Sequence, residues 1–144
     1  MLVLLVIPIL AGLDAGRYRW SQLSIAYGSA GIFLYLAFFL LFHWAMLTNR
    51  HFEGSARIQK DRAHKVITDG PYAFVRHPGY VAMIFAGLAD SLIIGSLYAL
   101  IPAVLAVIVV IIRTLLEDRM LLNELEGYSD YARKTKYRLV PGIW

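Results

Sequence analysis

The stretch 79-GYVAMIFAGLADSLIIGSLYALIPAVLAVIVVII-112 decides the fold. It holds one acidic residue, Asp90, and no Lys or Arg. Gly95-Ser96 in its middle is a turn signal. The run therefore divides into two apolar segments, Tyr80 to Ile94 and Leu97 to Ile112. Pro102 falls in the first turns of the second segment, where a proline is tolerated. A surface helix of a soluble domain carries a polar face opposite its apolar one, and neither segment does. The expectation is a transmembrane helical hairpin, with Asp90 near its far end as a structural polar contact.

Working outward, the whole chain has the same character. It is 59% hydrophobic with a mean hydropathy of +0.60, well above a soluble domain of 144 residues. A second long apolar segment runs from about Leu23 to Leu47, long enough to cross a bilayer with some tilt. Trp20 and Trp44 lie near its ends, where indole rings favour the interface. Leu2 to Leu13 is apolar but short, and reads as a short first span or the remnant of a longer one. Gly12 and Gly16 break the polar turn between the two, Asp14 to Gln22.

The fold expected is all-α: a polytopic transmembrane helix bundle with a helical hairpin and a C-terminal amphipathic cytoplasmic helix. It is read as one membrane domain, 1–144. Within it, 1–48 carries the N-terminal segments, 49–78 a cytoplasmic connector, 79–112 the hairpin and 113–144 a closing segment.

Charge supports that division. Most of the Lys and Arg lie in 49–69 and 113–138, including Arg50, Arg57, Lys60, Arg62 and Lys65. The bias places these parts, and both termini, on the cytoplasmic side, although Arg17 and Arg19 in the first outer loop run against it. The net charge of +4 suits juxtamembrane anchoring. No basic stripe interleaved with stacking aromatics points to nucleic acid. The absence of cysteine excludes disulfides, thiolate zinc sites and cysteine nucleophiles. The histidines, His43, His51, His64 and His77, have no metal-ligand spacing, so no metal is expected. There is no dinucleotide fingerprint, no P-loop and no nucleophile elbow. His43 reads as a packed polar residue.

Two polar clusters flank the hairpin. Before it stands Gly70-Pro71-Tyr72-Ala73-Phe74-Val75-Arg76-His77-Pro78-Gly79-Tyr80. Pro78 restricts His77 to an extended conformation, and N–H groups ahead of a helix start can receive a carboxylate or phosphate. The plain alternative is a loop entering a membrane helix, with Arg76 reaching the headgroups. After the hairpin stand Arg113, Glu117 and Asp118. Arg113 and Glu117 are four residues apart on one helix face, where they could grip a ligand or simply pair with each other. Beyond them Leu115, Leu116, Met120, Leu121 and Leu125 can share an apolar face, and Gly127 reads as a helix stop.

These residues, in this order, carry a resemblance. His64-Lys65-Val66-Ile67-Thr68-Asp69-Gly70-Pro71-Tyr72, Arg76-His77-Pro78-Gly79-Tyr80, Arg113 with Glu117-Asp118, Gly127-Tyr128 with Tyr131, and the terminal Arg138-Leu139-Val140-Pro141-Gly142-Ile143-Trp144 resemble the isoprenylcysteine carboxyl methyltransferase and phospholipid methyltransferase superfamily. The likeness covers roughly His64 to Trp144. It implies S-adenosylmethionine as methyl donor and a lipophilic acceptor entering from the bilayer. No obligate protein partner is inferred.

Carried over position by position, His64, Lys65, Val66, Ile67 and Tyr72 would line the cofactor pocket. His77, Pro78, Gly79 and Tyr80 would hold its methionine part, largely through backbone groups. Glu117 would bind the cofactor from the other side, and Arg113 would face the acceptor. Arg113, Glu117 and His77 are the catalytic candidates, the last two as bases for an amine acceptor. The family usually carries paired glutamates, and here the second is Asp118, one methylene shorter. Two other readings compete. One is a membrane reductase of sterol-reductase type using NADPH, with Arg57, Arg62 or Lys65 on the phosphates. The other is a non-catalytic membrane scaffold with this fold.

Overall fold

The computed structural model of the chain describes residues 2–49 and 66–144, with side chains from Leu5 onward. His64, Lys65 and the cationic residues Arg50, Arg57, Lys60 and Arg62 lie outside the described residues. Every regular element described is helical. The order is α1 (Leu2–Ala11), a π-helical turn (Gly12–Tyr18), α2 (Ile25–Thr48), a 3-10 turn (Gly70–Ala73), α3 (Pro78–Ile94), α4 (Leu100–Glu124) and α5 (Tyr128–Lys134).

Three boundaries differ from the sequence reading, each for a local reason. α3 begins at Pro78 rather than Tyr80, because proline at the first helical position gives up an N–H that would have no partner there anyway. α4 begins at Leu100 rather than Leu97. The Ser96 hydroxyl accepts from Ala99 N–H at 3.1 Å, which holds residues 97–99 in a turn ahead of the helix. Finally, the amphipathic stretch after Arg113 is not a separate helix. α4 runs unbroken through Ile112 and Arg113 to Glu124, and only α5 stands apart.

α2 and α4 are long and apolar enough to cross a bilayer, at 24 and 25 residues. α2 also leaves Ile25, Phe33, Leu36, Leu40 and Leu47 exposed, unlike the core helix of a soluble protein. Such a continuous outward apolar surface belongs against lipid or another apolar partner. α3 is shorter at 17 residues, and α1 at 10 residues is well below the roughly 20 a span needs.

The described residues fall into two compact units. One comprises residues 1–40 and 82–110, and the other 41–81 and 111–144. In the first, Ile7, Ala11, Ala99 and Ala103 form a buried core with Leu88 packed on it. Small side chains at three of those four places bring backbones close. The polar turn after α1 is more than a connector. Asp14 is fully buried and accepts from the Ser21 N–H at 2.7 Å and from the hydroxyls of Ser21 and Ser96. Ser21 Oγ in turn accepts from Leu97 N–H at 2.9 Å, and Leu23 N–H donates to Gly95 O at 3.1 Å. The first loop is thus stitched to the hairpin turn. Trp20 stacks on Tyr18 and meets Tyr98 edge-on.

Candidate functional site

The second unit holds both polar clusters. Its packing rests on Ala45, Tyr72, Tyr128 and Tyr131, all buried, with Val66, Ile67, Leu121, Leu125 and Ala132 against them. The Tyr131 hydroxyl donates to Tyr72 O at 2.7 Å. The Tyr72 hydroxyl reaches Ala45 O at 3.4 Å and accepts from Asn49 Nδ2 at 3.3 Å. Of the expected cofactor-lining set, Val66, Ile67 and Tyr72 are therefore part of this apolar cluster. Burial pushes the hydroxyls of Tyr72, Tyr128 and Tyr131 above the ordinary tyrosine range. For Tyr128 the charge of Asp118 adds to burial.

The 3-10 turn sits close against the end of α2, and Gly70 makes this possible. Its φ is +57°, and a Cβ there would lie 2.9 Å from Thr48 Oγ1 and 3.1 Å from Trp44 Nε1.

The loop Val75–His77 is buried and fixed along its backbone. Arg76 N–H donates to Tyr137 O at 2.9 Å and His77 N–H to Arg138 O at 3.0 Å. Arg76 also spends its Nη1 on the carbonyls of Ala132, Thr135 and Lys136, at 3.3, 3.3 and 3.5 Å. Each of these carbonyls lies in or just after α5, so the guanidinium closes off a helix C-terminus, a favourable place for a cation. Arg76 is thus an internal clamp and not a side chain reaching for headgroups.

The centre of the arrangement is Asp118, whose side chain is 1% exposed. Its Oδ2 accepts from Arg76 Nη2 at 2.9 Å and Arg138 Nε at 2.8 Å. Its Oδ1 accepts from the Tyr128 hydroxyl at 2.8 Å and lies 3.2 Å from His77 Nε2. The sequence reading left this residue's part undecided. The structure gives it partners from 76, 77, 128 and 138. Arg138 and Tyr128 were not among the candidate site residues, although both stand in the motifs that carried the resemblance.

On the opposite side of the His77 ring lies Glu117. Its Oε1 is 4.0 Å from His77 Nδ1, and its side chain is 22% exposed. The Tyr80 hydroxyl donates a short hydrogen bond to Glu117 Oε2. The Tyr80 ring lies along the His77 ring, with centroids 5.8 Å apart, and the Arg113 guanidinium sits 5.5 Å from its centroid. Tyr80 therefore joins three of the predicted residues, His77, Arg113 and Glu117, into one constellation. The backbone is less open than the sequence suggests: the N–H of His77 serves Arg138, and that of Tyr80 serves His77 O at 3.1 Å.

A family model described as the isoprenylcysteine carboxyl methyltransferase (ICMT) family matches residues 30–123. The chain belongs to this family. No curated protein matches it. Membership points to a membrane methyltransferase, in accord with two helices long and apolar enough to span a bilayer. The match runs from within α2 almost to the end of α4. It takes in Tyr72, His77, Tyr80, Arg113, Glu117 and Asp118, while Tyr128 and Arg138 lie beyond it.

Proposed function

We propose that the chain is an S-adenosylmethionine-dependent methyltransferase acting on a lipophilic carboxylate, amine or thiol at the membrane interface. The observation that carries this reading is the pairing of His77 Nδ1 with the partly exposed Glu117 carboxylate, 4.0 Å apart, with Tyr80 and Arg113 beside them. The methyl donor carries an ammonium and ribose hydroxyls, all hydrogen-bond donors. A carboxylate and an imidazole nitrogen are acceptors of the kind those groups need, so the residues present fit the group.

His77, Tyr80 and Glu117 would hold the donor, with Val66, Ile67 and Tyr72 on the apolar cluster beside them, and Arg113 would face the acceptor. The bound donor supplies a methyl group already activated by its sulfonium. What remains for the chain is alignment and the exclusion of water, which together can supply about 7–11 kcal/mol in favourable cases. A carboxylate acceptor needs no base. An amine must lose a proton, and Glu117 or His77 can take it. An acceptor drawn from the bilayer suits the apolar surface of α2. Cytoplasmic placement of the site follows from the Lys and Arg distribution.

Titration calorimetry of the purified protein with S-adenosylhomocysteine tests the proposal. Saturable binding is expected, weakened at least tenfold (about 1.4 kcal/mol) by Glu117→Ala. Absence of binding in several detergents and in nanodiscs, with protection from unfolding by NADPH instead, would replace this reading with the reductase one.

A further inference from the structure

Both ring nitrogens of His77 face acidic groups of the same helix. Nε2 faces Asp118 Oδ1 at 3.2 Å, with the Tyr128 oxygen at 3.5 Å. Nδ1 faces Glu117 at 4.0 Å, the Tyr80 ring lies alongside, and Arg76 and Arg138 lie behind Asp118. The two sides are not equivalent. The Tyr128 hydroxyl gives its proton to Asp118 Oδ1 at 2.8 Å, the shorter of its two contacts, so it has none left for Nε2. The neighbour within hydrogen-bond reach of Nε2 is then an acceptor, which requires Nε2 to be the donor. At 4.0 Å, Glu117 makes no direct hydrogen bond to Nδ1.

We propose that Asp118 is a positioning residue that fixes the neutral His77 ring with its proton on Nε2, so that Nδ1 is the proton-accepting atom the site presents beside Glu117. Two acceptors 4.0 Å apart with no proton between them call for a donor to bridge them, an N–H or O–H of a ligand. This deepens the methyltransferase reading, on which its functional half rests: Asp118 prepares the acceptor without touching any ligand. The tautomer itself depends on no ligand.

Asp118→Asn tests it without changing shape. The Oδ2 position is served by two guanidinium groups, which can only donate. The amide oxygen must therefore turn to them, and the amide NH2 must face His77 Nε2. A donor there forces Nε2 to be bare and moves the ring proton to Nδ1. Nitrogen-15 spectra of the histidine rings, recorded on the full chain in nanodiscs across pH, read this directly, with His77→Gln assigning the signal.

In the unsubstituted protein the neutral ring should be protonated at Nε2. In Asp118→Asn it should be protonated at Nδ1, and in Tyr128→Phe it should stay at Nε2. S-adenosylhomocysteine affinity should fall at least tenfold in Asp118→Asn. A ring protonated at Nδ1 in the unsubstituted protein would overturn the proposal. So would a ring that never becomes neutral while the chain is folded, or an Asp118→Asn ring that keeps its tautomer. If Asp118→Asn does not fold, the unsubstituted and Tyr128→Phe spectra decide. Undiminished affinity beside a flipped tautomer would refute the functional half. Failure of the unsubstituted protein to bind would instead overturn the methyltransferase reading, with the tautomer still decided by the spectra.

Discussion

Asp118 and Glu117 are neighbours in sequence with opposite circumstances. Asp118 accepts from three donors and faces the His77 ring in a nearly closed environment, whereas Glu117 keeps part of its side chain exposed. Their substitutions should separate accordingly. Asp118→Ala leaves Arg76 and His77 buried without their carboxylate, and removal of one partner from such a buried pair typically costs about 3–5 kcal/mol. Thermal unfolding in detergent should show it as a large fall in Tm. Glu117→Ala should unfold close to the unsubstituted temperature while losing affinity for S-adenosylhomocysteine. Equal destabilisation by both would contradict this division. At this scale the sequence was informative about which residues matter but not about what each does. The stretch around Arg76-His77-Pro78 and the Arg113/Glu117 spacing identified the constellation. Nothing in local spacing ties residue 118 to 76, 128 and 138, because those contacts are made by tertiary folding alone.

Among the elements, the helices were largely readable from apolar run length, with Gly95 marking the hairpin turn, although α3 starts at Pro78 and not at Tyr80. Less readable was the π-helical turn Gly12–Tyr18, whose Asp14 looked like an ordinary turn residue. Its role depends on Ser96, far along the chain. The 3-10 turn offers a sharper test. Gly70 and Gly142 both have positive φ, +57° and +81°. A Cβ at Gly70 collides with Thr48 and Trp44, while one at Gly142 meets nothing within 4 Å. Gly142→Ala should cost only the backbone term, roughly 1–2 kcal/mol. Gly70→Ala should cost measurably more, because the turn must also move off α2. Paired melting curves of the two variants would check this, and equal losses would mean the turn is not held against α2.

For the whole molecule, the buried tyrosines set an alkaline limit. Burial holds the Tyr128 and Tyr131 hydroxyls neutral beyond the pH at which an unfolded chain releases their protons, about 10. Above that pH the unfolded state binds fewer protons than the folded one, so stability falls as pH rises and is intact below it. Unfolding monitored from pH 8 upward should show a decline starting near pH 10. Tyr131→Phe should lower stability at neutral pH by about 1–3 kcal/mol, through the Tyr72 carbonyl left without its donor, and should flatten the alkaline decline.

The main chain of Arg76 and His77 is held by residues 137 and 138, and Asp118 is neutralised in part from 138. During synthesis, then, the ribosome delivers every candidate ligand-binding residue long before it delivers the pieces that hold them in register. A polypeptide truncated between 125 and 137 should still enter the bilayer through its apolar helices yet have no working centre, although it carries every described candidate ligand-binding residue.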